Sequence, residues 1–171
     1  DFTAGAVCGR IAGRITNASY VLDGTAVRLA ANAGPHQLHG GADGFHQRHW
    51  DYLQDGNRVT FYLQSADGDQ GFPGHLSVQA VYALAGSTLS LEITARTSRP
   101  TVCNLTNHGY WNLAGSGSVL GHELTIAGAR YFPLDDALMP TGRLEPVAGT
   151  DWDFRKPRAI GRDYDGCILL D

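Results

Sequence analysis

Short apolar runs at period two, punctuated by glycine, predict an antiparallel all-β protein, a sandwich rather than a closed barrel. Three observations carry this. Val59, Phe61 and Leu63 alternate with Thr60 and Tyr62, and Leu76, Val78, Ala80, Tyr82 and Leu84 keep the same period. Glycine makes up 22 of 171 residues while charged residues are only 18%, which suits strands joined by tight turns better than long surface helices. No window of about 11 residues holds a convincing 3.6-residue period.

The elements follow in order. Asp23-Gly24 lies between Tyr20-Val21-Leu22 and Ala26-Val27-Arg28-Leu29, a hairpin signal. The runs at 76–84 and 89–95 flank Ala85-Gly86-Ser87 and read as a second hairpin. In the latter run Leu89, Leu91, Ile93 and Ala95 oppose Ser90, Glu92, Thr94 and Arg96. Leu124, Ile126 and Ala127 open another strand-like segment, broken at Gly128. No repeat or linker divides the chain, so residues 1–171 read as one domain.

Composition excludes several functions. A net charge of −4 gives no pull toward nucleic acid. No apolar run reaches the ~18 residues of a membrane helix. Cys8, Cys103 and Cys167 form no C-x-x-C pair and read as reduced, mostly buried thiols, which leans toward a cytoplasmic setting. Neither G-x-G-x-x-G, G-x-x-x-x-G-K-[ST] nor G-x-S-x-G occurs. No cofactor is expected, and oligomeric state is not legible.

Three long loops, 32–50, 64–75 and 104–123, carry the chemistry, and loops this long are functional or disordered. Their aromatic residues argue against disorder. The first holds His36, His39, His46 and His49. Two H-x-x-H pairs invite a metal, but Gly40, Gly41 and Gly44 disfavour the helix that this spacing needs, and no metal is expected. At least one of these histidines is a candidate for substrate contact, against a structural role for all four. The second loop, with Asp67-Gly68-Asp69 and Phe72-Pro73-Gly74, reads as a turn cluster. The third, NLTNHGYWNLAG at Asn104–Gly115, mixes amides, hydroxyls, an imidazole and aromatic faces in a way that suits a sugar. His108 is its candidate acid, and the rival reading is that His108 and the asparagines only satisfy loop backbone. Asp135-Asp136 reads as turn chemistry, and Asp151, Asp153 and Arg155 as a loop ion-pair cluster.

Six segments in order resemble the aldose 1-epimerases. They are GRIAGRI (Gly9–Ile15), GPHQLHGG (Gly34–Gly41), DGDQGFPGHL (Asp67–Leu76), NLTNHGYWNLAG (Asn104–Gly115), LMPTGRLEPVAGTDWDFR (Leu138–Arg155) and DYDGCILLD (Asp163–Asp171). The resemblance implies a large antiparallel β-sandwich that interconverts the α and β anomers of free hexoses such as galactose or glucose. It implies His108 as the acid at the ring oxygen, and Arg14, His39 and Asp165 as sugar-binding residues. Gly13, His36 and Gly166 stand where the family commonly has Asn, Asn and His. Family members are roughly twice as long, so the chain is expected to lack their opening strands and the C-terminal region with the general-base glutamate. Glu92, Glu123 and Glu145 match no family motif. Two alternatives stand beside this: a sugar-binding or regulatory protein without catalysis, and a hexose-phosphate epimerase, which would want clustered cations.

Overall fold

A computed structural model of the chain describes residues 3–164. They form two compact units, Asp1–Tyr110 and Trp111–Asp171 within the described part. All regular pairing is between antiparallel strands, with three short 3-10 turns and no α-helix among the described residues.

The first unit holds ten strands: β1 (Val7–Cys8), β2 (Arg14–Ile15), β3 (Ser19–Leu22), β4 (Thr25–Arg28), β5 (Gln37–Leu38), β6 (Asp51–Asp55), β7 (Arg58–Ser65), β8 (Leu76–Ala85), β9 (Thr88–Thr97) and β10 (Thr106–Asn107). β6, β7, β8 and β9 form a four-stranded antiparallel meander in sequence order. β3 and β4 pair around Asp23-Gly24, the first predicted hairpin, and β8 and β9 pair around Gly86-Ser87, the second. Gly24 and Gly86 both take positive φ there, at +77° and +60°, a region open to glycine at no steric cost.

Leu63, Leu76 and Val78 from the meander bury against Phe45, with Trp50, Ile93 and Leu105 packed around them. Burial of a Phe side chain stabilises by about 1.5–3 kcal/mol, so Phe45 nails the first long loop to the sheet. The Trp50 indole N–H reinforces this by donating to the Phe45 carbonyl at 3.0 Å. A second cluster joins Ala18, Leu29 and Phe72, with Phe72 at 1% exposure seated under the 64–75 loop as its sequence suggested.

Three expectations shift. β6 was not predicted: its five residues, DYLQD, show no alternation, and all are exposed. β9 has the expected period, yet Leu89 is 51% exposed, so the sheet is buried at its centre and open along its outer strands. Cys8 is buried, but Cys103 is exposed rather than buried; both are free thiols. Cys167 lies outside the described residues.

The second unit is built from short pairs. β11 (Glu123–Leu124) pairs with β14 (Arg158–Ala159), and β12 (Arg130–Tyr131) with β13 (Glu145–Pro146). The strand expected at 124–127 ends at Leu124, although the Ile126 amide still donates to the Phe154 carbonyl. Met139, Val147 and Phe154 are its buried apolar residues. Asp135 caps the Ala137 and Met139 amides and so serves a turn, Arg155 forks onto Asp153 as an ion pair, and Asp151 pairs instead with Arg162 at 2.7 Å.

Candidate active site

The first unit gathers an imidazole cluster from segments far apart in sequence. The His39 and His108 ring centroids lie 5.2 Å apart at 80°, edge to face. His46 stands 6.2 Å from His39, also edge-on. The Tyr110 ring lies 5.1 Å from His108, and Tyr110 is itself exposed.

Backbone pairing sets each position. β1 and β10 pair Val7 with Asn107 and Cys8 with Thr106. The His108 amide then donates to the Ala6 carbonyl, and the His108 carbonyl accepts from Gly5. β2 and β5 pair Arg14 with Leu38, which sets Arg14 beside the His39 backbone. The His39 amide donates to the Gly13 carbonyl at 2.9 Å. His39 has φ +50°, rare for a residue with a side chain. Gly40 follows at φ +84°, and a Cβ there would stand 1.7 Å from the Gly9 oxygen, so only glycine lets the two segments close.

His39 is held in one tautomer. The Gly13 amide donates to His39 Nδ1 at 3.1 Å. A nitrogen that accepts carries no proton, so the neutral ring carries its proton on Nε2 and offers it as a donor. Burial lowers the His39 pKa from its ordinary 6.5, and His108, His46 and Arg14 each add to that. Burial likewise lowers the His46 pKa, with His108 helping. Nδ1 of His46 is buried without a partner.

A buried polar chain braces the cluster. Arg10, 1% exposed, donates to the Ser65 hydroxyl and to the carbonyls of Ser65, Ala66 and Pro73, at 2.9 to 3.0 Å. The Ser65 hydroxyl hydrogen-bonds Asp69, and Asp69 takes a two-point fork from Arg48 at 2.6 and 2.7 Å. Arg48 also reaches Asp43 at 2.9 Å. Burial pushes the Asp69 pKa up, but the Arg48 fork and the Ser65 hydroxyl outweigh it, and the net shift is downward. Asp67 accepts from the Gly74 amide and pairs with Arg99. The Asp67-Gly68-Asp69 segment is thus a braced turn.

Of the four residues singled out by sequence, Arg14, His39 and His108 converge in this unit, and Asp165 lies outside the described residues. His46 was visible only as one of four loop histidines. Nothing in the local sequence marks Arg10 as a brace, because its partners lie 55 or more residues away. Two asparagines of the third loop serve its backbone: Asn107 and Asn112 donate to the Gly5 and Gly117 carbonyls. His36 Nδ1 accepts from the Asn17 amide. Among the described residues no three His, Cys, Asp or Glu side chains are placed to hold a metal. A cleft of about 320 Å³ opens beside His46, lined also by Phe45, Trp50, Phe61 and Tyr82. Neither His39 nor His108 lines it, and its walls are mainly core apolar groups, so the imidazole cluster is the better site.

Comparison with known proteins gives the family. A family model described as aldose 1-epimerase matches residues 1–171. The chain is 44% identical to the galactose mutarotase of Sus scrofa over 160 residues, 92% of this chain and 47% of that protein. It is 42% identical to the aldose 1-epimerase of Escherichia coli (strain K12) over 163 residues, 94% of this chain and 47% of that one. Among solved structures, the GalM/aldose epimerase homologue from C. elegans superposes with a TM-score of 0.87 at 34% identity, over 92% of this chain and 49% of that one. A galactose 1-epimerase from Lactobacillus acidophilus NCFM gives 0.86 at 32% identity, over 93% and 48%. The chain therefore spans about half the length of the relatives it matches.

Proposed function

The chain belongs to the aldose 1-epimerase family, and from that premise we propose that the protein interconverts the α and β anomers of free hexoses, such as galactose or glucose. The observation that carries this is the His39–His108 pair, two imidazoles 5.2 Å apart drawn from loops 69 positions apart in sequence.

Anomer exchange opens the hemiacetal ring. A base takes the C1 hydroxyl proton while an acid protonates the ring oxygen; rotation about C1–C2 and reclosure on the other carbonyl face complete it. His108 is the proposed acid. His39, with Nδ1 accepting from Gly13 and a lowered pKa that favours the neutral ring, carries its proton on Nε2 and is proposed as a hydrogen-bond donor to the sugar rather than a proton carrier. Arg14 and Asp165 are proposed as sugar-binding residues. No step calls for a metal or redox cofactor. The single-domain reading of 1–171 is supported by a family match that runs through both units. Free thiols at Cys8 and Cys103 support a cytoplasmic setting. No helix among the described residues is long and apolar enough to cross a membrane.

The test is anomer exchange by polarimetry in the whole protein and its His108→Ala variant. Proton transfer by one positioned group contributes about 10²- to 10⁴-fold, so turnover should fall by that factor with the fold intact. An unchanged rate would remove His108 from the acid role.

The alternative reading is sugar binding without turnover, in which Arg14, His39 and His108 hold a sugar and move no proton. Tight sugar binding with no anomer exchange by the whole protein would select it. A hexose-phosphate epimerase is less supported, because the cation of the first loop, Arg48, is taken on both sides by Asp69 and Asp43.

A further inference from the structure

Asn107 precedes His108 and uses both amide hydrogens. Nδ2 donates to the Gly5 carbonyl at 3.0 Å and to the Tyr82 hydroxyl at 2.9 Å. Tyr82 sits on β8 opposite Leu91 of β9 and Val59 of β7, so its backbone is fixed by pairing on both sides. Its ring is further held edge-on by Phe61, 5.8 Å away at 89°. The Tyr82–Asn107 contact therefore ties the two-residue strand β10 to the interior of the four-stranded sheet.

His108 directly follows the last residue of β10, and its own amide and carbonyl bond to Ala6 and Gly5. Anchoring the Asn107 side chain therefore restrains the backbone from which His108 leaves. β10 needs this help. It has two residues and one partner strand, and its backbone is held by bonds to Gly5 and Ala6 at His108 and to Arg10 and Ala12 at Asn104. The same amide also reaches Gly5, so one side chain secures both the β10 segment and its partner.

We propose that Tyr82 and Asn107 are positioning residues that aim the His108 imidazole, with the Tyr82 hydroxyl as the fixed point. The inference rests on the reading of His108 as the acid. It assigns neither residue any contact with the sugar. Tyr82→Phe removes one oxygen and leaves the ring packed on Phe61. Loss of a single hydrogen bond of ordinary strength corresponds to roughly 3- to 10-fold in a rate when it bears on the reacting group.

The experiment is a double-mutant cycle on the whole protein, with kcat and KM for anomer exchange and Tm for each variant. Tyr82→Phe should lower kcat about 3- to 10-fold with KM unchanged and Tm nearly so. Asn107→Ala should lower kcat at least as far, and the double variant should be no worse than Asn107→Ala alone, because both changes break one contact. Tyr52→Phe, on the exposed strand β6, should match the parent. A Tyr82→Phe variant with parental kcat, with a raised KM alone, or with an effect that simply adds to that of Asn107→Ala overturns the proposal. If Asn107→Ala does not fold, Tyr82→Phe decides by itself. His108→Ala is run alongside: if it keeps full turnover, the acid reading fails, whereas a dead His108→Ala beside an unaffected Tyr82→Phe fails only the positioning role.

Discussion

The meander of β6 to β9 and the imidazole cluster beside it are held together by different physics. In the meander each strand pairs with its neighbour in sequence, so the bonds are local and the apolar period does the sorting. In the cluster almost every fixing contact is long-range and polar. Gly13 meets His39 across 26 positions, Arg10 meets Ser65 across 55, and Asn107 meets Gly5 across 102. Loop closure over such spans costs entropy before any contact rewards it. The sheet thus serves as the frame, formed by local rules, and the site is clipped onto it by a few long-range hydrogen bonds, of which Arg10–Ser65 is buried.

The sharpest way to break this comparison is to set a site change against a frame change. His108→Ala should cost about 10²- to 10⁴-fold in turnover and leave the melting transition in place. Leu76→Ala, in the meander core at 1% exposure, should do the reverse: about 2–5 kcal/mol of stability, with parental kcat for the molecules that remain folded. Activity and denaturant unfolding measured on both variants check the pair. A Leu76→Ala variant that loses kcat while folded would mean that frame and site are not separable.

Arg10 should join the two behaviours. Replacing it by Met removes the donor to the Ser65 and Pro73 carbonyls and to the Ser65 hydroxyl, while the Ala66 carbonyl keeps the Asp69 amide. A buried group left unsatisfied costs about 1–3 kcal/mol, so Arg10→Met should lose roughly 2 kcal/mol or more. Gly9 and Arg10 also lie against Gly40, so this variant should lose turnover in its folded fraction, as Leu76→Ala should not. Urea unfolding together with activity measured well below the midpoint separates the two effects.

How much of this was legible follows from the same contrast. β7, β8 and β9, and both hairpins with their glycine turns, could be read directly, because period and turn chemistry are local properties. β6 could not, since none of its five residues is buried and no alternation was needed. The two-residue strands β1, β2, β5 and β10 are too short to show a period; their partners choose them. At the site, the residue types suggested a sugar, but the pairing of His39 with His108 came only from the family resemblance. The structural partners of the loop asparagines could not be read either: Asn107 donates to the Gly5 carbonyl and the Tyr82 hydroxyl, and Asn112 to the Gly117 carbonyl. His46, Arg10 and Tyr82 carried no local mark, because what distinguishes them is whom they meet.

The smallest effect expected, and the most specific to the cluster, is the proton state of His39. Burial, with His108, His46 and Arg14, lowers its pKa in the folded protein below the ordinary 6.5. Between those two values the unfolded chain binds more protons than the folded one, so folding stability should rise with pH through that window and fall as pH drops below 6.5. His39→Gln should reduce this slope, to which His46 also contributes, without touching the acid limb below pH 3.8, where Asp69, lowered by Arg48 and Ser65 against its burial, supplies stability that is lost as it protonates. Nitrogen-15 spectra of the imidazoles examine the same point directly: at neutral pH His39 should show an unprotonated Nδ1 and a protonated Nε2. If instead Nδ1 carries the proton, the Gly13 amide does not hold the ring, and the division of labour between a fixed donor at His39 and a proton carrier at His108 fails.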